Sequence, residues 1–226
     1  MRIQTLGAII ALLAGPACAQ RPVTIAVPRT SASIHGDLYG SGPHGLVLAH
    51  GGRFNKESWK DQAMVFADAG FTVLAINFRG DTVNKDGTPS AEGSDAENAA
   101  DVLAAVRYLH ATGIKSVSAI GGSLGGDAVG EADAQADPGE FDRIVFLASE
   151  GGDHPEKLKG RKLYIVARDD SNGDGLRLPG IRAHYARAPK PKNLVIVEGR
   201  AHAQYLFATS EGPKILNEIL RFVSAR

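Results

Sequence analysis

The sequence predicts an α/β domain: a mostly parallel, eight-stranded, doubly wound sheet with an antiparallel N-terminal edge. Two observations carry that expectation. Past Gln20, short β-branched or aliphatic runs alternate with segments of helical period, the order in which strands and crossover helices follow one another. No fixed-length repeat, charge block or low-complexity linker interrupts this order, so residues 20–226 read as one domain.

In chain order, the first strands are expected at 23–27 and 33–39. Only a few residues around Arg29, Thr30 and Ser31 join them, too few for a crossover helix, so they should pair antiparallel at the sheet edge. Further strands are expected at 46–50, 72–78, 117–120, 143–148, 163–167 and 193–198, each a short apolar run. Helices fill the gaps at 59–69, 95–110, 125–136 and 181–188; the second carries Ala99, Val102, Leu103, Val106 and Leu109 on one face. A last helix, 214–223, follows the start signals Ser210 and Pro213 and aligns Ile215, Leu216, Ile219, Leu220 and Val223 in one stripe to lay on the sheet.

Composition narrows the function. With 43% hydrophobic and 22% charged residues, the 226-residue chain can bury a core and is not of the disordered class. Lys and Arg number 25 against 25 Asp and Glu, and this balance offers no basic footprint for a nucleic acid. At the N-terminus, Arg2, an apolar run from Leu6 to Ala14 and then Ala17-Cys18-Ala19 form a secretory signal peptide, residues 1–19, cleaved after Ala19. Pro16 closes the apolar run too early for a membrane span, and Gly15 and Pro16 fit an acylated-cysteine signal poorly. The mature chain is therefore expected in a bacterial periplasm or the medium, with no stable membrane insertion. It would contain no cysteine, hence neither a disulfide nor a thiolate nucleophile.

The chemistry begins at Gly121-Gly122-Ser123-Leu124-Gly125-Gly126, a G-x-S-x-G between an expected strand and an expected helix. A serine there stands on a tight turn with its hydroxyl exposed, and small residues two positions to either side let strand and helix approach. A phosphate-binding glycine loop shares this setting, but the spacing is not G-x-G-x-x-G and the loop lies mid-chain rather than in the first βα unit. Ser123 is thus the expected nucleophile.

A serine nucleophile needs a base, and a carboxylate to orient that base. Of seven histidines, His202 follows the strand at 193–198 through a short turn, on the carboxyl edge where α/β sheets place their sites. His35, His44, His110, His154 and His184 are assigned to the surface. Asp170, three residues beyond the strand at 163–167, is the expected orienting acid; Asp169 comes next, then Glu150 or Asp153, while Asp174 reads as a turn residue. The order Ser123, Asp170, His202 is the one expected with a G-x-S-x-G elbow. Upstream, His50-Gly51-Gly52-Arg53 ends a strand where an oxyanion loop would lie. The amides of Leu124 and Gly52 are the expected oxyanion donors, with Arg53 as the alternative to Gly52, and His50 is expected to hold the loop by hydrogen bonds.

Leu48-Ala49-His50-Gly51-Gly52, Ser58-Trp59, Phe78-Arg79-Gly80, Gly121 to Gly126, Asp170 and Gly199-x-x-His202 together resemble a small serine member of the α/β-hydrolase superfamily, near its dienelactone-hydrolase-like and short carboxylesterase branch. The resemblance spans nearly all of residues 20–226. Three departures stand out: a serine where dienelactone hydrolases typically carry cysteine, Asn77 where relatives often have Asp, and Ala203 where glycine is common. Relatives with a cap domain usually insert it after the sixth strand, but only residues 149–162 lie there, so no cap domain is expected. An open site suits a small-molecule ester with a short acyl chain. The same residues permit peptide or thioester cleavage, and a non-catalytic binding protein on the scaffold is the reading from another class. No metal or other cofactor is implied, because the histidines lack ligand spacing. The polar stretch 80–94 reads as a solvated connection that could border the site, and Lys190-Pro191-Lys192 as a solvated turn.

Overall fold

The computed structural model describes residues 20–91 and 93–225; the expected signal peptide lies outside them. Eight strands form one sheet: β1 (Arg21–Ala26), β2 (Ser33–Tyr39), β3 (His44–Ala49), β4 (Phe71–Ile76), β5 (Ser116–Gly122), β6 (Arg143–Leu147), β7 (Arg161–Ala167) and β8 (Lys192–Val197). Their order across the sheet is β1-β2-β4-β3-β5-β6-β7-β8. β2 runs antiparallel to both β1 and β4, and every pairing from β4 onward is parallel. Five helices cover the sheet: α1 (Lys60–Asp68), α2 (Asp95–Ala111), α3 (Leu124–Gln135), α4 (Leu178–Arg187) and α5 (Gly212–Ser224). All eight expected strands and all five expected helices are present, with ends shifted by a few residues.

Two-sided burial explains why the strands are nearly continuous apolar runs. In β3, Val47 and Ala49 pack under α2 and α3 with Val102, Val106 and Val129. Leu46 and Leu48 point the other way, toward Trp59, Ala63 and Phe66 beside α1 and Ile215 and Ile219 of α5. The start of α2 is fixed by a capping box: Ser94 accepts from the Glu97 amide while the Glu97 carboxylate takes the Ser94 amide. No cap domain interrupts the sheet; the β6–β7 connection holds one 3₁₀ turn, Pro155–Lys157. Among the described residues no helix is long and apolar enough to cross a membrane.

Topology sets where a ligand can sit. From β3 the chain winds outward to β4, then crosses back through α2 to β5 on the other flank of β3. The crevice beyond the carboxyl ends of β3 and β5 is the switch point of the sheet, and loops leaving these strands diverge there.

Three features differ from the sequence expectations. Short hairpins form at 81–83 with 89–91 and at 171–172 with 175–176, in stretches read as loops. The 80–94 connection is not simply solvated: the Ala91 amide donates to the Gly52 carbonyl at 3.2 Å, and Asp81 reaches His50. His184 is not on the surface but 5% exposed, with Nδ1 hydrogen-bonded to the Tyr164 hydroxyl at 3.1 Å, and His110 is half-buried between two carbonyls.

Burial lowers the His184 pKa from 6.5 to about 4. Its neutral form is thus favoured in the fold. Below pH 6.5 the unfolded chain takes up a proton that the folded ring resists, so this contribution is whole above about 6.5 and lost by about 4. Between pH 7.5 and 4.5, His184→Gln is expected to lose about 2–3 kcal/mol less stability than the parent in urea denaturation. Equal losses would assign the acid sensitivity elsewhere.

Candidate active site

The elbow between β5 and α3 is built by steric necessity. A β-carbon on Gly125 would overlap the carbonyl oxygens of Ala49 and His50, and one on Gly121 would overlap the Gly125 carbonyl. Glycine at both lets α3 start directly against the end of β3. Ser123 pays for the turn with a left-handed backbone, φ 50° and ψ −120°, held by its amide donating to the Leu147 carbonyl at 2.9 Å. Ala148 (φ 53°) and Ala203 (φ 51°) share this strain at the same sheet edge. The departure from glycine at Ala203 therefore leaves an alanine in a glycine conformation.

The structure brings Ser123, His202 and Asp170 into one hydrogen-bonded chain. Ser123 Oγ lies 2.8 Å from His202 Nε2, and His202 Nδ1 lies 2.8 Å from Asp170 Oδ2. An ionised carboxylate only accepts, so Nδ1–H donates to Asp170 and Nε2 is left to accept from the serine hydroxyl. Asp170 is 1% exposed. Its carbonyl accepts from the Arg177 amide at 2.9 Å, because the 171–176 hairpin turns the chain back on itself, and Arg177 Nε stands 3.7 Å from Oδ1. Asp169 is exposed; Glu150 and Asp153 face a cavity rather than His202; Asp174 closes the tip of the hairpin with Asn172.

On the other side of Ser123, the loop after β3 is tied down almost completely. His50 is buried, with Nδ1 2.9 Å from the Gly51 carbonyl and Nε2 3.0 Å from Asp81 Oδ2. The expectation of a loop-holding histidine matches this; its partner Asp81 went unrecognised. The Gly51 carbonyl also takes the Phe54 amide, and the Gly51 amide donates to Gln204. The amides of Gly52 and Leu124 donate to none of the described residues, and Gly52 lies against the Leu124 side chain. Arg53 is exposed at the following position.

Ser123 opens into a cavity of about 360 Å³ whose walls include Asp127, Glu131, Glu150, Asp153 and Arg177. Asp127 takes the Ser149 hydroxyl and the Gly151 and Gly152 amides, yet its burial pushes its pKa up. Burial raises that of Glu150 too, with a smaller push from Asp127 that Arg177 opposes. Among the described residues no group of three or more His, Cys, Asp or Glu is arranged to hold a metal. Phe54 and Tyr205 pack against each other with tilted rings, their centroids 4.9 Å apart. Arg177 and Asp127 carry no local sequence signal, since their place in the site comes from the packing of α3, α4 and the β6–β7 connection.

Comparison with known proteins agrees with this architecture. The sequence profile described as the alpha/beta hydrolase family matches residues 46–217. No curated protein sequence matches the chain. Among solved structures, a dienelactone hydrolase from Anabaena variabilis is similar at 19% identity and TM-score 0.68, with 92% of this chain and 96% of that one covered. An esterase of Pyrococcus furiosus is similar at 14% identity and TM-score 0.73, covering 91% and 92%. A CIB-like hydrolase from Thermoplasma acidophilum gives 18% identity and TM-score 0.69, covering 91% and 98%. At such identities these likenesses speak for the fold, and the profile match over most of the sequence speaks for the lineage: the chain belongs to the alpha/beta hydrolase family.

Proposed function

We propose that the protein is a serine hydrolase that cleaves carboxylic esters with short acyl chains, acting outside the cytoplasm after cleavage behind Ala19. The observation that carries this reading is the unbroken chain from Ser123 Oγ through His202 to buried Asp170, with both links at 2.8 Å. Ser123 Oγ attacks the ester carbonyl while His202 Nε2 takes its proton. The amides of Gly52 and Leu124 receive the developing oxyanion. His202 returns the proton to the departing alcohol, leaving an acyl-enzyme that water hydrolyses by the same path in reverse. Asp170 accepts from Nδ1–H throughout, which holds neutral His202 in the accepting tautomer and stabilises the imidazolium that forms once the proton is taken.

Substrate size and charge follow from the surroundings. Without a cap, the 360 Å³ cavity supports a short acyl group over a long lipid chain. Its carboxylates outnumber the single Arg177, which leans on Asp170, and this favours neutral or cationic esters over anionic ones. The test joins intact-mass labelling to a substrate panel. One fluorophosphonate adduct is expected per chain beginning at Gln20, with p-nitrophenyl acetate preferred to octanoate. An ester bearing a carboxylate should have kcat/KM about tenfold below its neutral isostere at low salt, with the gap narrowing as salt screens it. Unlabelled folded protein would favour the binding-protein reading, and preference for the anionic ester would mean that Arg177 receives a substrate carboxylate.

A further inference from the structure

Three separate segments build the proposed site: the loop after β3, the elbow after β5 and the loop carrying His202 after β8. One side chain outside the hydrogen-bonded triad touches all of them. Gln204 lies two residues past His202, is 7% exposed, and is hydrogen-bonded at both ends of its amide.

Proton accounting fixes which end faces which partner. The Ser58 hydroxyl donates its only hydrogen to the Asn55 carbonyl at 2.6 Å, so toward Gln204 it can only accept. Gln204 Nε2 therefore points at Ser58 Oγ, 3.1 Å away, and Oε1 is turned to the Gly51 amide at 3.3 Å. Gln204 thus occupies the Gly51 N–H, while the next amide, that of Gly52, donates to none of the described residues. Room for it depends on the elbow: a β-carbon on Gly122 would stand 2.7 Å from Gln204 Oε1 and 3.3 Å from the Ala203 β-carbon. The left-handed turn at Ala203 sends His202 toward Ser123 and Gln204 toward Gly51.

We infer that Gln204 is a positioning residue of the oxyanion hole, acting through the Gly51 peptide and oriented by Ser58. This rests on the ester-hydrolase reading above. Gln204→Leu keeps the bulk and loses the acceptor; kcat for p-nitrophenyl acetate is expected to fall about 10–100-fold with KM changed less than about threefold, since a misplaced donor costs part of what a missing one does. Ser58→Ala should lower kcat about 3–10-fold in the parent and have no further effect in Gln204→Leu, because it acts only through that amide. Hydrogen exchange at the Gly51 amide should speed up in both single variants, whether or not the protein is catalytic.

A parent that takes no fluorophosphonate would sink the hydrolase reading while leaving the Gly51 exchange result to be read by itself. The positioning role is overturned if Gln204→Leu keeps parental kcat, if only KM moves, or if the two substitutions multiply independently. Should Gln204→Leu fail to fold, Ser58→Ala decides: unchanged kcat and unchanged Gly51 exchange refute the role.

Discussion

Replacing Ser123 by alanine is expected to lower kcat for p-nitrophenyl acetate by about 10⁴–10⁶-fold and to abolish the fluorophosphonate adduct. The loss is large because the covalent path disappears. What remains is the oxyanion hole and substrate binding, which accelerate direct attack by water far less. The fold should survive, since the Ser123 side chain bonds only to His202 and its strained backbone is held by amide and carbonyl contacts to Leu147 and Gly126. Unfolding free energies from urea denaturation within about 1 kcal/mol of the parent would show this. Activity within tenfold of the parent in a folded Ser123→Ala variant would remove Ser123 as nucleophile.

Asp170→Asn is expected to cost about 10³–10⁴-fold in kcat, and the neighbour that enforces the loss is Arg177. With Arg177 Nε 3.7 Å from Oδ1, an asparagine sets its carbonyl oxygen toward the guanidinium. Its NH₂ then faces His202 Nδ1, which must accept, moving the ring proton to Nε2 and pointing it at Ser123. The histidine would be in place and hydrogen-bonded, yet unable to take the serine proton. Imidazole ¹⁵N shifts report the tautomer directly, and kcat reports the consequence. Asp169→Asn should stay within about threefold of the parent, because Asp169 is exposed and bonded only through its backbone. A tautomer unchanged in Asp170→Asn, with kcat intact, would return the orienting role to another acid.

The site was unevenly legible. Ser123 could be read because the G-x-S-x-G spacing is a steric demand that the elbow makes locally: Gly121 and Gly125 are where a β-carbon would strike backbone. Asp170 and His202 could be read because each lies a short turn beyond an apolar run, and a parallel sheet gathers such turns at one edge. Asp81 and Gln204 could not. Nothing near either residue in sequence marks it, and each acquires its part by meeting residues of another segment, His50 and Gly51. His184 was misplaced for a related reason: Arg182 and Arg187 make its helix look solvent-facing, but α4 turns His184 inward together with Ile181, and His184 meets Tyr164 there.

By itself the sequence determined the eight apolar strand runs, the helical stripes, the balance of charge and the residue types able to form a nucleophilic site. These are properties of period, volume and protonation that act within a few residues. Only the tertiary structure decided that His50 meets Asp81, that Gly51 meets Gln204 across 153 positions, and that carboxylates from α3 and the β6–β7 connection wall the cavity. Those meetings depend on the path of the crossovers over the sheet, where the chain doubles back between β4 and β5. Segments with no local reason to be neighbours are brought there because both faces of the sheet must be covered.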